Sequence, residues 1–95
     1  MIQHIVMFKW REDAAAEDIQ GAIGLLCDLK GIETVSEFSA GENFGKLAKG
    51  YQFAIVLRLP DRAALKAYWP HPLHERALAQ VGPLAADVLV FDFEI

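Results

Sequence analysis

The chain has 95 residues, of which 54% are hydrophobic, and a formal net charge of −4 at pH 7. The length suits one domain spanning residues 1–95, because domains run from about 50 to 250 residues. The acidic balance excludes a nucleic-acid partner. Releasing counterions from phosphates needs a basic patch, and here nine Lys and Arg are scattered among thirteen acids.

No apolar run approaches the ~20 residues that a membrane-spanning helix requires, so no membrane partner is expected. The opening "MIQHIVMFKW" has neither the basic start nor the cleavage site of a secretory leader. The lone Cys27 cannot close an intramolecular disulfide and fits a reducing cytoplasm. It reads as a small buried hydrophobe towards the end of a helix, far from the N-terminal setting that activates a thiolate.

Ile2 to Trp10 reads as a strand. Its even positions are Ile2, His4, Val6, Phe8 and Trp10, and its odd ones include Ile5 and Met7, so apolar side chains lie on both faces. From Ala14 to Lys30 the spacing turns helical, with Ile19, Ala22, Ile23, Leu26 and Leu29 in one stripe, Asp13 as N-cap and Gly31 as stop. Glu33 to Gly41 forms a short polar strand, and the glycines of "ENFGKLAKG" mark a loop without phosphate-cradle spacing. Tyr51 to Leu59 is a strand with Tyr51, Phe53, Ile55, Leu57 and Leu59 on one face and Ala54 and Val56 on the other.

Asp61 caps a helix running from Arg62 to about Trp69, and a further helical segment starts near Pro72 and continues towards Val81. Pro70 and Pro72 bracket His71. A residue before proline is pushed out of the α region, so Trp69 and His71 are both expected to be extended. Pro72 suits the first turn of a new helix, where no N–H is needed. The helix therefore breaks and restarts with His71 near the cap. Val88 to Ile95 is the last strand, with Leu89, Phe91, Phe93 and Ile95 on one face and Val88 and Val90 on the other.

The order β-α-β-β-α-β gives an α+β, ferredoxin-like fold: a four-stranded antiparallel sheet with its helices on one face. The other face must then hold a set drawn from Ile5, Met7, Ala54, Val56, Val88 and Val90. Exposed, that would be an unusually large apolar patch. A homodimer through the open sheet face, two sheets packed together, gives it cover.

"HIVMFKW", "KGYQFAIVLRL", "AYWPHPLH" and "DVLVFDFEI" together resemble the stress-responsive A/B barrel (Dabb) family over essentially the whole chain. The resemblance implies a dimeric α+β barrel. It also implies stress proteins that act through very stable oligomers, or cyclases that work without a cofactor. Through "YxxHPxH" and the first-strand histidine it implies catalytic roles for His4, Tyr68 and His74. Many relatives read "GYTHA" where this chain reads "GYQFA", so Phe53 replaces a pocket histidine and makes the pocket more apolar.

Chemically, a neutral imidazole at His74 can abstract a proton near pH 7 while the Tyr68 phenol polarises a carbonyl. His4 would hold an oxygen in the same pocket, which Val6, Phe8, Phe53, Trp69 and Phe91 are expected to line. A small hydrophobic or aromatic molecule is the expected ligand, with no cofactor. Other readings remain open. In one, His71 is a cap, His74 is solvated and His4 is a satisfied core residue of a non-catalytic scaffold. In another, the chain is a monooxygenase-like relative of the same barrel. A three-histidine metal site is disfavoured, because Pro72 distorts the spacing and no carboxylate pattern supports it.

Overall fold

The computed structural model describes all of residues 1–95. Its elements are β1 (Ile2–Trp10), α1 (Ala16–Cys27), a 3-10 turn (Asp28–Gly31), β2 (Glu37–Glu42), β3 (Phe53–Leu59), α2 (Arg62–Tyr68), α3 (Pro72–Val81) and β4 (Ala85–Glu94). The strands form one antiparallel sheet in the order β2-β3-β1-β4. Four antiparallel strands with helices between them make the ferredoxin-like fold that the element order implies.

The core lies between the sheet and the helices. The even positions of β1 and the odd positions of β3 are buried, and they meet Ala22 and Leu26 of α1 and Ala77 and Val81 of α3. Each fully buried Leu, Ile, Val or Phe contributes about 1.5–3 kcal/mol, so this layer carries most of the stability. The helical stripe of α1 behaves as its spacing requires. Ala22, Leu26 and Leu29 are buried, while Ile19 and Ile23 pack half-buried beside them.

The phase of β4 corrects the sequence reading. Val88 pairs with Phe8, Val90 with Val6 and Asp92 with His4, so the even positions of β4 share the helix side of the sheet. Leu89, Phe91 and Phe93 pair with Met7, Ile5 and Gln3 and lie on the open side. Bulk alone would turn the two phenylalanines inwards. Register decides otherwise, since all side chains opposite the even positions of β1 share its face. The open face therefore holds Ile5, Met7, Ala54, Val56, Leu89 and Phe91, not Val88 or Val90.

Several boundaries also move: α1 ends at Cys27, β3 starts at Phe53 rather than Tyr51, and β4 starts at Ala85 rather than Val88. Asp13 does not cap α1: its carboxylate accepts from Arg11 Nε at 3.1 Å, and the helix starts later behind Ala15, which provides no side-chain cap. Glu17 and Asp18 in the first turn offset this by placing negative charge at the positive end of the helix. β2 begins at Glu37 rather than Glu33, because the chain first turns, with Val35 N–H donating to the Ile32 carbonyl at 3.0 Å.

Candidate functional site

The break between α2 and α3 builds the site. Asp61 Oδ1 accepts from the Ala64 N–H at 2.8 Å and starts α2. The chain leaves α2 after Tyr68. His71 is extended, with ψ of 136°, and its Nδ1 accepts from the Leu73 N–H at 3.1 Å, which caps α3 with Pro72 in the first turn. His71 Nε2 lies 3.5 Å from the Glu33 carboxylate, so both ring nitrogens have structural partners. Trp69 departs from expectation and stays helical, at φ −56° and ψ −47°. The preceding-proline bias disfavours that region without forbidding it. Here the geometry aims the Trp69 carbonyl at His74, whose Nδ1–H donates to it at 2.9 Å.

That hydrogen bond fixes the His74 tautomer. With the proton on Nδ1, the Nε2 lone pair is available for chemistry. Burial holds the His74 pKa below its ordinary value, against the pull of the Trp69 carbonyl, and a charge on His4 lowers it further. The ring is neutral at pH 7. Burial pushes the Tyr68 phenol up, and the charge of Asp92 adds to this, so Tyr68 keeps its proton. A base and a donor thus stand side by side, their ring centroids 4.6 Å apart.

His4 and Trp69 complete a four-ring cluster. The His4 ring is 5.3 Å from both Tyr68 and Trp69, and Trp69 is 5.1 Å from His74. His4 is wholly buried, and its Nδ1 hydrogen-bonds the Asp92 carboxylate. Its Nε2 is buried with no partner in the chain. A buried polar atom left unpaired is costly, and this is the one buried side-chain nitrogen or oxygen of the chain without a partner.

Beside the cluster is an apolar cavity of about 70 Å³. Val6 and Phe8 of β1, Leu26 of α1 and Ile55 of β3 line one side. Tyr68, Trp69, His74 and Val81 line the other, and the half-exposed Leu78, Val88 and Val90 stand at its mouth. Of the expected residues, Tyr68, His74, Val6, Phe8 and Trp69 come together here. His4 stands behind the Tyr68 and Trp69 rings and does not line the cavity. Phe53 packs on Phe8 at 6.2 Å but lines a neighbouring cleft, and Phe91 lies on the opposite face of the sheet, 57% exposed.

Sequence reasoning missed Asp92. The signal was present, since a carboxylate alternates with apolar residues in "VFDFE", but using it requires the β1–β4 register. With His71 turned to Glu33 the three histidines do not converge, and no group of three His, Cys, Asp or Glu side chains is placed to hold a metal ion.

Fold and site together define a small α+β protein with a ring-lined apolar cavity between sheet and helices. The chain belongs to the stress responsive A/B barrel (Dabb) domain family, whose model matches residues 2–95. It is similar to a dimeric ferredoxin-like protein of unknown function from Thermobifida fusca, at 30% identity and a TM-score of 0.87, covering 99% of this chain and 90% of that one. A Dabb protein with a ferredoxin-like fold from Mesorhizobium loti has 21% identity and a TM-score of 0.83, covering 99% and 95%. The hydroxynitrile lyase of Passiflora edulis has the same fold, with a TM-score of 0.88 at 17% identity, covering 99% and 92%. No curated protein matches the sequence. No helix is long and apolar enough to cross a membrane.

Proposed function

We propose that this chain forms a homodimer through its open sheet face, and that each subunit binds a small apolar carbonyl compound on which it performs cofactor-free proton transfer. The observation that carries the reading is the His74–Trp69 hydrogen bond, which leaves Nε2 as a basic lone pair beside a protonated Tyr68 at the wall of an apolar cavity. His74 Nε2 takes a proton from the carbon next to the carbonyl. The C–H electron pair becomes the new carbon–carbon π bond, and the carbonyl oxygen accepts the Tyr68 proton to give the enol. His4, held by Asp92, is a positioning residue behind Tyr68.

Size narrows the ligand. A cavity of about 150 Å³ holds benzene. One of about 70 Å³ suits a molecule of a few heavy atoms, or the reacting end of a larger one that projects from the mouth. A lyase on the same fold, the Passiflora edulis hydroxynitrile lyase, supports a catalytic use of such an architecture. The dimeric state of the Thermobifida fusca relative supports the pairing. Polar groups rim the open face at both ends: Lys9, Tyr51 and Asp87 at one, Gln3, Arg58 and Glu37 at the other. The lone cysteine supports a cytoplasmic setting.

The test is exchange of the α-protons of 2-butanone into D₂O, followed by NMR. General acid–base catalysis contributes about 10²–10⁴-fold, and His74→Ala and Tyr68→Phe should each lose an effect of that order. A wild-type rate equal to buffer removes the catalytic reading. Retained ketone binding would then leave a binding protein, and no binding would leave a scaffold.

A further inference from the structure

Two hollows lie side by side on the helix side of the sheet, the inner one walled by α2 and α3 with Leu26 of α1, the outer one by the first part of α1. Along β1 the inner one is lined by Val6 and Phe8 and the outer one by Trp10; along β3 the order is Ile55, then Phe53. Along α1 it is Leu26, then Ile23 and Ile19. The outer hollow is larger, about 410 Å³, and carries Gln20, Glu42 and Asn43 at its rim.

Three buried aromatic rings stand where the two meet. Phe8 and Phe53 are cross-strand partners with centroids 6.2 Å apart, and Phe8 stacks on Trp10 at 5.6 Å with an interplanar angle of 8°. We infer that these rings are a partition across one continuous groove, and that Phe53 sets the length of ligand the inner cavity accepts. The inference rests on the apolar-pocket reading above. A ligand with its carbonyl at Tyr68 and His74 points its tail along the groove and stops at Phe8, which Phe53 backs from the outer hollow. With Phe53 shortened, the tail passes into the outer compartment, whose polar rim suits a polar terminus.

The experiment measures the affinity of 2-alkanones from acetone to 2-nonanone for the wild-type protein, Phe53→Leu and Phe53→Ala. Each methylene buried in an apolar site strengthens binding about fourfold, the ratio that corresponds to ~0.8 kcal/mol. Wild-type affinity should rise with the first few carbons and then level. In Phe53→Ala it should level about three methylenes later, so that 2-nonanone binds roughly 50-fold tighter than to wild type. Phe53→Leu keeps an apolar side chain at this core position and should level in between, which preserves the test if the alanine variant fails to fold. Short ketones that bind with the same cut-off in all three proteins would overturn the partition alone. Absence of ketone binding throughout would overturn both the partition and the pocket reading.

Discussion

Both faces of the sheet carry apolar side chains, and the two meet different fates. On the helix side, β1 and β3 supply a row of side chains that the chain's own helices seal almost completely. On the open side, Leu89, Phe91 and Phe93 are 41–57% exposed, and nothing in the same chain covers them. Apolar composition therefore does not identify a core. Cover does, and a 95-residue chain has helices enough for only one face. The same difference divides the roles: the sealed face houses the rings and cavity, and the open face is proposed to hold the second copy.

The largest break in this comparison comes from placing a charge on the open face. Phe91→Asp should separate the dimer into 10.6 kDa monomers, read by sedimentation, while leaving the monomer folded. Two copies of a buried Phe, one per subunit, put the effect at about 3–6 kcal/mol. A monomeric wild-type mass at micromolar concentration would sink the dimer. On the sealed face, Leu57→Ala should cost about 2–5 kcal/mol in chemical denaturation, because Leu57 is nearly inaccessible and the cavity cannot collapse freely. If Phe91→Asp unfolded the chain as fully as Leu57→Ala, the two faces would not be distinct in the way described.

Smaller effects sharpen the sealed side. Asp92→Ala removes the acceptor from a buried imidazole and should cost about 1–3 kcal/mol, the penalty for an unsatisfied buried polar group. His71→Ala removes the α3 cap and should cost about 1 kcal/mol. The pH dependence has a definite sign. The folded-state pKa of His74 lies below its ordinary value, so the unfolded chain takes up this proton first. The stability contributed by neutral His74 is fully present above about pH 6.5 and is lost as pH falls below it. His74→Gln should flatten that part of the profile. A variant that matched wild-type acid sensitivity would place its cause elsewhere.

The α2–α3 break shows how far local rules reach. Two prolines around one histidine define the break, the restart at Pro72 and the capping role of His71, because φ restriction and a missing N–H act within three residues. The same rules missed Trp69, whose carbonyl accepts from the His74 side chain five residues on, beyond the reach of a preceding-proline rule. Asp13 failed for a related reason: a nearby guanidinium competes for its carboxylate.

By itself, the sequence determined the order of elements, the sealed faces of β1 and β3, the α1 stripe and the positions of Tyr68 and His74 on either side of a kink. These follow from period, capping chemistry and proline geometry, all of which act over a few residues. Only the tertiary structure decided the phase of β4, and with it the pairing of Asp92 with His4 and the outward turn of Phe91. Those depend on register between strands more than seventy residues apart, where a shift of one residue turns every side chain to the other face.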